Sequence, residues 1–135
     1  MSTPYATGHR LPFPALQVSL HGEIEHLGPV TALLDTGADV TLVPVALLEQ
    51  IGASEGALVT LRTHFGQVHH AQQYLISLQA NGLVLPGVYV VGDEHGADIL
   101  LGRDVLNKLV LGLDGPQHQT DLLDAAAIQR LRARR

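Results

Sequence analysis

The stretch Ala32-Leu33-Leu34-Asp35-Thr36-Gly37-Ala38-Asp39 decides how this chain is read. An apolar run delivers a carboxylate, then a hydroxyl, then a glycine. Leu33 and Leu34 would desolvate the carboxyl group of Asp35, and Thr36 can brace the loop by hydrogen bonding. Gly37 lets backbone N–H groups come close to the carboxylate. Those are the requirements of a carboxyl group that moves protons in an apolar cleft. Read alone, the tripeptide Asp-Thr-Gly is as well suited to a plain turn after a strand.

Working outward, residues 30–34 predict a buried strand that runs into Asp35. Ala15–His21 alternates apolar and polar residues and predicts a half-buried strand, with Gly22 and Gly28-Pro29 as turns. The first 14 residues contain Pro4, Pro12 and Pro14, which predicts an irregular or edge-strand arm. Residues 40–43 are apolar and β-branched, and Pro44 opens a short helix through Ile51, stopped by Gly52. Residues 57–62 and 68–78 read as two strands around the loop 63–67, Thr-His-Phe-Gly-Gln. Residues 83–85 and 88–91 read as separate strands divided by Pro86-Gly87. A short apolar strand at 98–101 ends at Gly102, helical spacing follows over 104–109, and another strand at 110–113 meets the turn Asp114-Gly115-Pro116. Leu123, Ala127 and Leu131 repeat every fourth residue in a final amphipathic helix with arginines near its end, as the macrodipole favours. The expected fold class is all-β, in one domain over residues 1–135.

Composition narrows the function. The 135 residues are 46% hydrophobic and 16% charged, too apolar for a disordered chain. The core must be built from Leu, Val, Ile and Ala, because aromatics are scarce. The chain has no cysteine, which excludes a disulfide framework, a thiol nucleophile and a thiolate zinc site. Four of the eight Lys/Arg residues are Arg130, Arg132, Arg134 and Arg135, so residues 1–129 carry a formal charge of −9. Nucleic-acid binding needs a basic face, so no nucleic-acid partner is expected. No apolar run approaches the roughly 20 residues that span a bilayer, so no membrane partner is expected either. The first residues lack the long apolar run of a signal peptide, and the expected location is cytoplasmic. His69 and His70 would point to opposite faces of a strand, so no metal site is expected among the eight histidines.

A second motif settles what the first leaves open. About 65 residues on stands Asp98-Ile99-Leu100-Leu101-Gly102-Arg103-Asp104-Val105-Leu106. Together, in this order and at this spacing, the two segments resemble the signature of the retropepsins, the retroviral-type aspartic proteases. Residues 63–67 stand where that family has its flap hairpin, and Arg10-Leu11-Pro12 resembles its N-terminal approach. The likeness covers about residues 10–115. It implies a closed, barrel-like acid-protease fold with one short helix near Asp104, followed by a C-terminal extension with a helix over 116–135. A domain ending at Gly115 would then still fold, unless Leu122, Leu123 and Leu131 cover part of the core.

The resemblance also implies a mechanism. Two Asp-Thr-Gly loops face one another, and a water between their carboxylates attacks the scissile peptide carbonyl without a covalent intermediate. Carboxylates ~3 Å apart cannot both ionise readily, so they share a proton and titrate as a pair. This chain has one such tripeptide, so Asp35 needs the Asp35 of a second copy across a two-fold axis. The implied protein is a homodimeric aspartic endopeptidase acting on polypeptides, with no cofactor beyond water. Asp35 would be catalytic, with Thr36 and Gly37 in its loop. Substrate contacts fall to Ala38, Asp39, His64, Phe65, Gly66 and Leu100, and an Asp39–Arg103 ion pair would support the site and the dimer. Leu33, Ile99, Leu100 and Leu101 are candidates for apolar subsite walls or for the core behind them. Two features depart from the pattern. Asp104 stands where many retroviral enzymes have Asn and is expected to cap the short helix. The flap tip has a single glycine where retroviral flaps are glycine-rich. Ala38 lacks the hydroxyl that in some aspartic proteases donates to the catalytic carboxylate, which implies an only mildly acidic optimum. Two rival readings stay open: a dimeric binding or regulatory module on the same fold, and a metal-dependent hydrolase.

Overall fold

A computed structural model of the chain describes residues 1–62 and 65–134. In order, the elements are β1 (Ser2–Pro4), β2 (Ala15–His21), β3 (His26–Leu34), β4 (Leu42–Pro44) and α1 (Val45–Gln50). Then come β5 (Ser54–Arg62), β6 (Val68–Ala80), β7 (Leu83–Asp93), β8 (Ile99–Leu101) and α2 (Arg103–Leu106). The chain ends with β9 (Leu111–Asp114), β10 (Gln119–Leu122) and α3 (Ala125–Ala133).

Six strands close into a ring. The order β2-β3-β8-β4-β7-β6 returns to β2, because Leu20 of β2 pairs with Leu78 of β6. Closure removes the open edges that a sheet would otherwise expose. The ring is the barrel-like β fold expected from the sequence, and its interior is filled by Leu16, Val18, Leu20, Ala32, Leu34, Val43, Ile76, Leu78, Val90, Ile99 and Leu101. β6 is 13 residues long and does two jobs. Its second half pairs with β7 inside the ring, and its first half projects beyond it with β5 as a hairpin, the last pair being Arg62 with Val68. Among the described residues no helix is long and apolar enough to cross a membrane.

Three local expectations change. Gly28-Pro29 is not a turn: both residues lie inside β3, opposite an irregularity between Val18 and Leu20. Gly28 has φ +143°, and a Cβ there would fall 2.5 Å from the Ser19 hydroxyl, so the strands close only with glycine at this point. Pro86-Gly87 does not divide two strands either. β7 runs unbroken from Leu83 to Asp93, and a register shift between Ile76 and Leu78 of β6 accommodates the proline, which has no N–H to give.

The third change concerns the C-terminal extension. Residues 119–122 form β10, the middle strand of a second, three-stranded sheet with β1 on one side and β9 on the other. Short strands of mixed polarity such as Gln-Thr-Asp-Leu carry no period that sequence reading can detect. Leu122 is 5% exposed and belongs to the main core cluster, so the extension is packed into the fold through that residue. α3, capped by Asp124 through the Ala127 N–H, buries none of its own residues.

This packing sets two expectations. Leu122→Ala should cost about 2–4 kcal/mol of unfolding free energy, and truncation after Gly115 should lower the melting temperature far more than truncation after Asp124. Equal melting temperatures for the two truncations would show that β10 contributes nothing. Tyr74 gives the second. It is buried, with the edge of its ring over Gly92. Burial pushes the phenol above its ordinary range, and the negative charges of Glu55, Glu49 and Glu94 add to that. The unfolded chain therefore gives up this proton first. The associated stability is fully present below pH of about 10 and is lost as pH rises through the folded value. Chemical denaturation at increasing alkaline pH should show this decline in the wild type and a shallower one in Tyr74→Phe.

Candidate active site

β3 ends at Leu34 and hands the chain directly to Asp35. The pairing does not stop with the strand: the Leu34 N–H donates to the Pro14 carbonyl (2.9 Å) and the Asp35 N–H to the Leu101 carbonyl (3.0 Å). Asp35 is thus held between the arm before β2 and the end of β8. Its side chain is held locally as well. The Gly37 N–H donates to Asp35 Oδ1 at 3.0 Å, and the Ala38 N–H closes a turn onto the Asp35 carbonyl at 3.2 Å. A Cβ on residue 37 would stand 3.3 Å from that same oxygen, so glycine leaves the carboxylate its space. Asp35 is half-buried, while Thr36 and Gly37 are exposed.

The second motif grips this loop from behind. The Arg103 N–H donates to the Ala38 carbonyl (2.9 Å) and the Asp104 N–H to the Asp39 carbonyl (3.2 Å). The Arg103 guanidinium donates to the Thr36 carbonyl (3.1 Å) and to the Asp39 carboxylate. The Asp39–Arg103 pair is therefore formed, on side chains that are 82% and 47% exposed. A pair that exposed contributes little stability by itself, and what Arg103 adds is the hold on the Thr36 carbonyl.

Asp104 does not cap α2 as expected. Gly102 occupies the cap position, and the Asp104 carboxylate turns to Thr41 instead. Its Oδ1 accepts from the Thr41 hydroxyl (2.8 Å) and from the Val105 N–H (2.8 Å), and its Oδ2 accepts from the Thr41 N–H (3.1 Å). The Thr41 oxygen in turn accepts the buried Gly102 N–H at 3.1 Å. Thr41 is fully buried, and sequence reading passed over it. Its one signal was a hydroxyl inside the apolar run 40–43, a polar group that must find partners if buried.

The leucines divide by strand alternation. Ile99 and Leu101 belong to the core, as do Ala32 and Leu34. Leu33 and Leu100 pair side by side across the parallel β3–β8 contact and lie on the opposite face. Phe65 and Gly66 sit apart from these residues, at the tip of the β5–β6 hairpin. Phe65 is 92% exposed and Gly66 takes φ +78°, a conformation that favours glycine. His64 lies outside the described residues. Among the described residues no three His, Asp or Glu side chains converge as a metal site would require; His21 and His26 stack on each other instead.

The Thr41 cluster can be tested directly. Thr41→Val keeps the volume but strands the Gly102 N–H and removes one of the hydrogen bonds to the Asp104 carboxylate, the backbone N–H of residue 41 keeping its own. We expect about 2–3 kcal/mol of lost stability, measured by urea unfolding, with Thr41→Ser recovering most of it. A neutral Thr41→Val would show that the hydroxyl is dispensable.

Comparison with known proteins agrees with this geometry. The chain resembles the EIAV protease solved with the inhibitor HBY-793, at 19% identity and TM-score 0.56, over 76% of this chain and 93% of that one. It also resembles a retropepsin-like aspartic protease from Rickettsia conorii, at 15% identity and TM-score 0.57, over 89% of this chain and 88% of that one. No curated protein sequence matches. A sequence profile matches residues 20–108, which include both the Asp35 loop and the Arg103 segment that grips it. That profile describes the "gag-polyprotein putative aspartyl protease" family, and to this retropepsin-like family of aspartic proteases the chain belongs.

Proposed function

We propose that the protein is a homodimeric aspartic endopeptidase that hydrolyses peptide bonds by activating water between Asp35 and the Asp35 of a second copy. One observation carries the reading. The Asp35 carboxylate is presented at a strand end, accepts the Gly37 N–H, and stands on a loop tied at Thr36, Ala38 and Asp39 to the Arg103 segment. A general base or acid needs this kind of fixed placement.

The second copy follows from chemistry. Water activation and protonation of the leaving nitrogen need one ionised and one protonated carboxyl group close together. The chain has one Asp-Thr-Gly, and a two-fold axis beside it brings the loop to its own image. In each cycle the ionised carboxylate takes a proton from water as it attacks. The protonated one donates to the carbonyl oxygen; the carboxyl group that took the water proton then passes it to the leaving nitrogen, while the other recovers a proton from the tetrahedral diol as the C–N bond breaks. Phe65 and Gly66 at the hairpin tip would close over a bound polypeptide, and Leu100 would line the floor; His64, assigned to the same substrate contacts, lies outside the described residues. A chain without cysteine needs no oxidising compartment, which suits action in the cytoplasm.

Asp35→Asn should abolish cleavage of an unstructured protein while leaving the dimer intact in sedimentation. The wild type should be blocked by a statine peptide that mimics the tetrahedral intermediate, be indifferent to chelators, and show a bell-shaped pH profile. Ala38→Ser should move both limbs of that profile to lower pH. An active species that sediments as a monomer at every concentration, or full turnover by Asp35→Asn, would overturn the shared-site mechanism.

A further inference from the structure

The face of β3 that leads to Asp35 continues into a polar cleft. Ala32 and Leu34 point into the core, so Thr31 and Leu33 point the other way, and Asp35 is next in that series. Leu33 pairs with Leu100 of β8, which places Leu100 on this face, and Asp98 two residues before it. Gln17 of β2 pairs with Thr31 and joins them. Over these residues the N-terminal arm leaves a cleft of about 430 Å³, whose lining includes Tyr5, His9, Gln17, Thr31, Leu33 and Asp98. Leu33 stands two positions before Asp35, about 7 Å along the strand. That distance is also the repeat of side chains on one side of an extended peptide, so the cleft can receive a residue near the scissile bond.

The chemistry of the lining selects what enters. Leu33 supplies an apolar wall close to Asp35, and Asp98 supplies a carboxylate farther along. The Asp98 side chain is 59% exposed, and His9 Nε2, the one basic side chain in the lining, stays 3.6 Å away, beyond hydrogen-bond length. The carboxylate therefore keeps acceptor sites open. Gln17 Nε2 is already engaged with the Thr31 hydroxyl at 2.9 Å. A long cationic side chain fits this sequence of groups, with its methylene stem on Leu33 and its charged head on Asp98. An aliphatic side chain would strip water from the carboxylate and give nothing back. We propose that this cleft is a specificity subsite and that Asp98 selects polypeptides carrying Lys or Arg within two residues of the scissile bond. The proposal rests on the assignment of Asp35 above. Of the four candidates for subsite walls or for the core behind them, Ile99 and Leu101 belong to the core, which leaves Leu33 and Leu100 on the face of the site.

The test profiles cleavage of a mixed peptide library by the wild type, Asp98→Asn and His9→Ala. We expect Lys and Arg to be enriched at one position near the cut. Asp98→Asn should lower kcat/KM for those peptides about tenfold, the loss of one charge-assisted contact, and raise it for peptides with Leu there, which no longer strip water from a carboxylate. His9→Ala should keep or strengthen the preference, because it removes the side chain that stands beside the Asp98 carboxylate. If Asp98 serves only to latch the arm through His9, both variants lose thermal stability alike and the profile stays as it was, which overturns the proposal. An apolar preference at every position overturns it too. Passing the same library over immobilised Asp35→Asn protein, with and without Asp98→Asn, reads the cleft without turnover. Retention of Lys and Arg peptides that depends on Asp98 supports the subsite even if the wild type cuts nothing, the outcome that would defeat the catalytic reading instead. Equal retention by both proteins counts against the subsite.

Discussion

The Thr41 hydroxyl holds together two segments that lie some 60 residues apart in the chain. It donates to Asp104 and accepts from Gly102, in a fully buried position. A buried carboxylate-to-hydroxyl contact is worth more than an exposed ion pair, because its loss leaves polar groups unpaired away from water. The Asp35 loop is strung between this anchor and the end of β3. The backbone bonds from Arg103 and Asp104 to Ala38 and Asp39, which hold the loop from behind, depend on α2 being docked there.

The parallel β3–β8 contact gives the site its two faces. Three registered pairs join the strands, from Ala32 with Ile99 to Leu34 with Leu101. Alternation sends one set of side chains into the barrel and the other toward the arm and the cleft. Because the period is two, a slip of one residue would bury Asp35 and expose the core leucines. The hydrophobic cost of that slip fixes the direction in which the carboxylate points. Catalytic placement and barrel packing are thus one constraint, applied through the same few residues.

The polar lining beside Leu33 and the hairpin beyond the ring belong to the outer layer of the molecule. The hairpin owes its position to β6, which is long enough to serve both the barrel and the projection. Between β1 and β2 the arm owes its position to weaker contacts: Tyr5 stacked on His118, a bridge from Ala6 to Phe13, and His9 beside Asp98. Few of these groups are buried, so the outer layer can vary in chemistry without disturbing the frame that holds Asp35.

The sequence by itself determined the strand leading to Asp35, the carboxylate-hydroxyl-glycine order, the matching Arg103 segment and the all-β class. These are legible because each rests on local chemistry or on a period within a few residues. Only the tertiary structure decided the rest. Gly28-Pro29 reads as a turn until pairing with β2 sets both residues inside β3, opposite the single residue Ser19. β10 has no period of its own and becomes a strand because β1 and β9 lie on either side of it. Asp104 reads as a helix cap until Thr41 is brought against it. Asp98 reads as the start of a strand until alternation across β3 and β8 sets it on the face of Asp35. In each case the deciding partner is distant in the chain, and hydrogen bonds and packing between distant residues leave no local trace.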